Sequence, residues 1–257
     1  MKKAIAIVQS SYIPWKGYFD LINLVDEFIL FDDVQYTVRD WRNRNLIKTG
    51  QGSNWLTVPV NSKGLRSQLI REATVVDPHW RMQHWQTLQH QYARAPHFNQ
   101  YKVWLRNLYE AATYSHLSDI NRHFIEAVCA QLGVTTTLSW SMDYRVVDGK
   151  SERILELCRQ AGADLYVSGP SARAYMDYDL FEQHGIEVRF MDYSGYPEYS
   201  QLFPPFSHNV SVLDLLLNEG PESASFLKTG HVAGKPVSAD GRYELIQLTT
   251  EPALVLT

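Results

Sequence analysis

Cysteine is scarce in this chain of 257 residues: only Cys129 and Cys158 occur. Two thiols cannot form a disulfide framework, and both lie in apolar helical patterns, Ile125–Leu132 and Ile154–Ala161. They read as buried, reduced side chains, which fits a reducing compartment and excludes thiol catalysis. Long hydrophobic runs are missing too. The first, Ala4–Val8, has five residues, too few for a membrane span or a signal-peptide core. A cytoplasmic protein without a membrane span is expected. Positive charge is not in excess: the net charge is −4, which argues against general nucleic-acid binding. A local cluster of Arg39, Arg42, Arg44 and Lys48 can be either a solvated face or a ligand grip.

Familiar catalytic signatures are also absent. No G-x-G-x-x-G follows the first apolar run, and no G-x-x-x-x-G-K-[ST] occurs. The nucleophile elbow G-x-S-x-G is missing. His79 and His84 stand five apart, and His84 and His90 six apart, spacings that place neither pair on one helix face. No metal is expected.

What is present suits a folded enzyme-sized domain: 45% hydrophobic and 20% charged residues can bury a core. Ala4–Val8 reads as a buried strand. Gly17–Val25 carries Tyr18, Leu21, Ile22 and Val25 at helical spacing, and Phe28–Phe31 is a second strand ended by Asp32 and Asp33. This is a βαβ unit. Asn43–Lys48 and Trp55–Val60 alternate around Gly50-Gln51-Gly52 and predict a β-hairpin; Ile70–Val76 predicts a further strand. Asp77 and Pro78 are placed to open a helical region, as N-cap and first helical residue. Helices are expected at about 78–94, 98–112 and 117–132. Thr135–Trp140, Leu165–Val167 and Glu187–Met191 read as strands, with helices over Lys150–Ala161, Asp177–His184 and Ser211–Asn218. The expected architecture is α/β: a Rossmann-like, mostly parallel sheet with a β-hairpin excursion and a helical insertion at about 77–132. The domain is expected to span 1–220, followed by a tail, 221–257, with one short strand near Tyr243–Gln247.

Ligands of open parallel sheets bind beyond the carboxyl ends of the strands. The residues that follow the strands here are Gln9, Ser10, Tyr12 and Trp15; Asp32, Asp33, Gln35 and Tyr36; Ser141 and Asp143; Ser168 and Gly169; Asp192 and Tyr193. Hydroxyls, amides, carboxylates and rings are thus expected at one edge. Gly17, at the start of the first helix, would admit a ligand phosphate to the backbone amides, and Ser168-Gly169 offers a similar turn. A general base is expected among His79, His84 and the strand-end aspartates. Trp41-Arg42-Asn43-Arg44-Asn45 is polar on both faces of its strand, with the asparagines on one and the arginines on the other. That makes sense if one face lines a ligand site, where arginine grips phosphate or carboxylate and asparagine reads hydroxyls, or if the hairpin is an exposed edge.

Several segments in order resemble the WbqC-like family: Gln9–Phe19, Phe31–Tyr36, Trp41 with Asn43–Asn45, Trp55–Val60, Lys150–Arg153, Gly162-Ala163, Ser168-Gly169 and Ser211–Leu215. The resemblance covers roughly residues 4–220. It implies a role in bacterial O-antigen or related surface-polysaccharide synthesis. The implied reaction attaches an amino acid such as glycine, or another acyl group, to the amine of a nucleotide-linked amino sugar. Under that implication Arg42, Arg44, Lys63 and the amides near Gly17 would hold phosphate, and Tyr12, Trp15 or Trp41 would stack on the base. Asp33 or His79, with Asp32 beside them, would take the amine proton. Gln9, Gln35, Asn43, Asn45, Ser168 and Gly169 complete the expected binding set. The acyl group would arrive activated, with ATP or an activated acyl donor as co-substrate. First-turn histidines of adenylyl-transferring folds are lacking, which weighs against adenylation. A glycosyltransferase using a nucleotide sugar, and a non-catalytic module that binds sugar nucleotides, are the competing readings; a D-x-D metal motif that would favour the former is absent.

Overall fold

Both faces of the central strands are apolar, and the fold follows from that. The computed structural model describes residues 2–145 and 147–230. Strand β1 (Ala4–Val8) alternates small and large: Ala4 and Ala6 face one core, and Ile5 and Ile7 face another. Burial on both faces is the mark of a parallel sheet covered by helices on each side. Helix α1 (Lys16–Leu24) connects β1 to β2 (Glu27–Leu30). Strands β5 (Thr137–Trp140), β6 (Leu165–Ser168) and β7 (Glu187–Phe190) complete a five-stranded sheet in the order β5-β2-β1-β6-β7. All its pairings are parallel. The Rossmann-like expectation is met.

The sheet grows outward from β1 through β2 to β5, then returns to the other side of β1 with β6 and continues to β7. The reversal leaves a crevice beyond the carboxyl ends of β1 and β6, where such sheets bind ligands. Helices α5 (Ser151–Gln160) and α6 (Tyr178–Gln183) cover one face, with Leu155, Cys158, Phe181 and Phe190 packed on Ile5, Ile7, Ile29 and Tyr166. The other face carries α1 and α7 (Val212–Glu219).

The excursion between β2 and β5 holds a separate antiparallel hairpin, β3 (Arg44–Thr49) and β4 (Gly52–Thr57). The insertion helices α2 (Trp80–Tyr92), α3 (Phe98–Ala111) and α4 (Leu117–Leu132) follow it. Trp80, Tyr92, Tyr109 and Phe124 are fully buried there, each worth a few kcal/mol of transfer free energy. Gly133 ends α4 at φ 70°, the left-handed cap that glycine adopts without strain. Both cysteines are free and buried.

Two local expectations are corrected. Ile70–Val76 is not a strand: Ile70–Glu72 forms a turn of 3₁₀ helix. Only isolated bridges follow, Val75 with Val60 and Thr74 with His116. The apolar run is spent on burying Ile70 and Ala73 instead of on a ladder. Asp77 does not cap α2 from the N-cap position, which His79 occupies without a side-chain cap. Its carboxylate accepts the His79 backbone N–H at 2.9 Å and lies 2.8 Å from that ring's Nδ1, which holds a separate turn ahead of the helix.

Residues 220–226 form a further 3₁₀ helix, and Leu227 is buried in the main core. Asp20, fully buried in α1, accepts the backbone N–H groups of Lys228 at 3.0 Å and Thr229 at 2.8 Å. It also accepts the hydroxyls of Thr229 and Tyr196. The strand expected near Tyr243–Gln247 lies outside the described residues.

Candidate functional site

The crevice between β1 and β6 opens into a cavity of about 580 Å³. Gln9 follows β1; Phe31 and Val34 follow β2; Ser168 ends β6, and Gly169 and Pro170 follow it. Tyr166, Tyr175 and Tyr193 supply aromatic walls. The head of α5 closes the remaining side with Lys150, Ser151 and Arg153. A helix start presents unpaired N–H groups and a partial positive charge, and here two cations stand beside it.

Arg153 is held in place by Asp33. Its Nη1 donates to the Asp33 carbonyl at 3.3 Å and lies 4.0 Å from the Asp33 carboxylate. Nε donates to the carbonyl of Val147 at 3.2 Å. Asp33 also accepts the Ser141 hydroxyl at 2.6 Å, which ties β2 to the segment after β5. The side chain of Asp33 is 4% exposed and that of Arg153 is 24% exposed, so a buried carboxylate aims a reachable guanidinium. Asp32 lies deeper, fully buried. It accepts the Ser10 amide at 2.8 Å and the Ser10 hydroxyl at 2.6 Å, and burial raises its pKa.

A second cavity, of about 250 Å³, lies on the other side of Val8. Trp15, Tyr18, Trp41 and Arg42 line it with Ser11, Pro14, Asn45 and Asn209. Val8 belongs to both linings. Trp15 of the second cavity packs edge-on against Tyr193 of the first, with ring centroids 5.3 Å apart.

The structure brings some of the expected residues together and scatters others. Gln9, Ser168 and Gly169 line the large cavity, while Trp15, Trp41 and Asn45 line the small one. Asn43 and Arg44 line a third, open hollow with Tyr36 and Arg39. Arg44 stacks 4.0 Å above the Trp55 ring and donates to the carbonyl of Arg39.

Asn43 and Asn45 both serve the chain itself. Asn43 donates to the Val58 carbonyl at 2.8 Å. Asn45 donates to the carbonyls of Tyr12 and Ile13, at 3.1 and 3.0 Å.

Tyr12 is not a stacking platform. It is fully buried, with its hydroxyl 2.9 Å from His84 Nδ1 and 2.8 Å from the Tyr109 hydroxyl. Above Gly17, the room expected for a phosphate is filled by the Trp15 indole. Gln35 is exposed and donates to the Arg66 carbonyl at 2.6 Å. His79, its side chain 82% exposed, pairs with Asp77. Lys63 is exposed on the loop after β4. None of Gln35, His79 and Lys63 lines a cavity described here.

Residues 9–226 match the profile of the WbqC-like protein family. The chain belongs to that family. A protein of Mycobacterium tuberculosis described as "Uncharacterized protein Rv1507c" is 50% identical over 226 residues, covering 88% of this chain and 98% of that one. No solved structure matches. Apart from Ile7 and Val8, the residues that line both cavities fall within the segment that matches the family profile.

Sequence reasoning passed over Lys150, Ser151, Arg153 and Tyr175 as site residues, while Tyr193, expected at the strand ends, does line the large cavity. A signal existed. Lys150-Ser151-Glu152-Arg153 is one of the runs that carry the family resemblance, and it stands at a predicted helix start, where the partial positive charge favours an anion. Among the described residues, no group of three or more His, Cys, Asp or Glu side chains could hold a metal ion, and no helix is long and apolar enough to cross a membrane.

Proposed function

We propose that this chain binds a nucleotide-linked amino sugar in the β1/β6 cavity and transfers or ligates an acyl group, such as an amino acid, onto its amine. The role would belong to bacterial surface-polysaccharide synthesis, as family membership suggests. The observation that carries the reading is the head of α5, where Lys150, Ser151 and Arg153 face a cavity walled by tyrosines at the topological switch point. Phosphate suits a helix start with two cations, and a base or sugar ring suits the aromatic walls. A volume of about 580 Å³ is within the usual range for small-molecule and cofactor sites.

An amine attacks only when it has lost its proton, so a base must take that proton. Of Asp32, Asp33 and His79, Asp33 is the group joined to the cavity, through Arg153. It is assigned the proton, together with the aiming of Arg153. The acyl component would enter activated, or be activated with ATP; as the amide C–N bond forms, the bond from the acyl carbon to its activating group breaks and that group leaves.

The test is a thermal-shift and turnover panel: ATP, coenzyme A, glycine, and UDP- and dTDP-sugars with and without an amino group. A ligand at a hundred times its dissociation constant stabilises by about 2.7 kcal/mol. A shift confined to the amino-sugar nucleotides, with a new amide in the product, supports the proposal. A shift confined to neutral sugar nucleotides, with sugar transfer, would replace it by the glycosyltransferase reading.

A further inference from the structure

Arg42 presents an unresolved charge. Its side chain is 12% exposed. Nε and Nη1 are sealed from water, and neither has a hydrogen-bond partner. The nearest carboxylate, Asp40, stands 3.7 Å from Nε, beyond hydrogen-bonding distance. Asp32 is also near enough for its charge to be felt, while its oxygens accept from the Ser10 amide and hydroxyl. Leaving guanidinium N–H groups unpaired in a low-dielectric site is costly. The rest of the side chain keeps some exposure and lines the small cavity, so an anion bound there would offset that cost through its charge.

Arg42 lines the small cavity, and the other lining residues define the ligand. Trp15, Trp41, Val8, Pro14 and the Tyr18 ring make an apolar shell. Ser11, Asn45 and Asn209 add neutral polar groups, but Asn45 is already engaged with the carbonyls of Tyr12 and Ile13. No aspartate or glutamate lines the cavity. A zwitterionic amino acid would therefore find a partner for its carboxylate and none of opposite charge for its ammonium.

We infer that the small cavity is a binding site for a monocarboxylate with an apolar body. The carboxylate pairs with Arg42, and the body lies between Trp15 and Trp41. The two cavities share Val8 and touch through Trp15 and Tyr193, so a ligand in one lies next to a ligand in the other. The monocarboxylate site stands without the sugar-nucleotide reading. Its identification as the acyl pocket rests on that reading, and it then favours a simple acid over glycine as the acyl component.

The test uses 4-methylpentanoate, its neutral amide and leucine as probes of the full chain, followed by saturation-transfer NMR and by tryptophan fluorescence. The acid is expected to bind, and the amide and leucine to bind roughly tenfold more weakly or not at all. Arg42→Gln should weaken the acid by a similar factor. Trp41→Ala removes a 43%-exposed wall and should also weaken it; this variant keeps the site testable if Arg42→Gln does not fold. Arg153→Gln, in the other cavity, should leave the acid unaffected even if it abolishes nucleotide binding, which separates failure of one site from failure of the other. Absence of acid binding to the folded wild type would overturn the inference. So would leucine or the amide binding as tightly as the acid, or unchanged affinity in both Arg42→Gln and Trp41→Ala.

Discussion

The indole of Trp15 lies across Gly17 so closely that a β-carbon on Gly17 would stand 2.3 Å from Trp15 Cζ2. The ring cannot easily retreat, because Tyr193 and Tyr196 flank it at centroid distances of 5.3 and 5.5 Å. Gly17 is therefore a seat for an aromatic wall of the small cavity. Gly17→Ala gains up to ~1 kcal/mol of helix propensity but overpacks the contact at a cost of about 1–3 kcal/mol. A net loss of stability is expected in urea unfolding. Placing Trp15→Ala in the same chain should relieve most of it, as a double-mutant cycle would show. Additive effects would mean that the indole does not occupy this space.

Arg153 and Asp33 separate binding from chemistry. Arg153→Gln should weaken binding of the amino-sugar nucleotide by about 1.5–3 kcal/mol, the range of a charged hydrogen bond. Lys150→Gln should cost less, since an exposed lysine gives a solvated point charge. Asp33→Asn keeps the shape of the carboxylate. If Asp33 takes the proton, turnover falls with little change in affinity; if it only aims Arg153, affinity falls as it does in Arg153→Gln. Titration calorimetry paired with single-turnover rates distinguishes these outcomes.

Much of this was legible in the sequence where one element explains itself. Ala4–Val8, the periodic α1 and Phe28 onward read as a βαβ unit because their burial is local. The order of the strands is not local: that β6 pairs with β1 and β5 with β2 depends on helices packed over a hundred residues apart in the chain. Asn43 and Asn45 misled for a related reason. Asn45 looks ligand-facing because the carbonyls it serves, at Tyr12 and Ile13, lie 33 and 32 residues away. Arg153 was overlooked because a cation in a helical run reads as solvated surface until the sheet places that helix start at the switch point.

Asp214 is the acceptor that joins α7 to the insertion. Burial raises its pKa, and its carboxylate accepts the hydroxyls of Tyr92 and Tyr199, each at 2.7 Å, and the Gln201 amide at 2.8 Å. Removing it strands the buried Tyr92 and half-buried Tyr199 hydroxyls, while Gln201 keeps the Ser207 carbonyl at 2.9 Å. Asp214→Ala should cost about 3 kcal/mol or more, and Asp214→Asn less, because an amide oxygen still accepts. The difference is measurable as a shift in urea midpoint at constant m-value. Equal midpoints for the two variants would show that the charge, not the acceptor geometry, matters there.

His84 sets a pH dependence whose sign can be worked out. Burial lowers its pKa from 6.5 to about 4, so the native protein holds it neutral beside Tyr12. The unfolded chain takes up the proton near its ordinary pKa. Between those values the unfolded state binds more protons, and stability rises with pH. The contribution is present above pH 6.5 and is lost as pH falls towards 4; it amounts to roughly 3 kcal/mol when fully lost. Asp32 and Asp214 act in the opposite sense. Their raised pKa values give stability at acid pH that is lost as pH rises through them. Those carboxylates are common to the wild type and to His84→Gln, so the difference between the two stability curves isolates the histidine. The variant should lose stability overall, because the Tyr12 hydroxyl loses its ring partner at 2.9 Å. Its stability should nevertheless fall less steeply than that of the wild type between pH 6.5 and 4. Parallel curves over that interval would mean that His84 is protonated in the folded protein and that the buried Tyr12–His84 contact is not the one described.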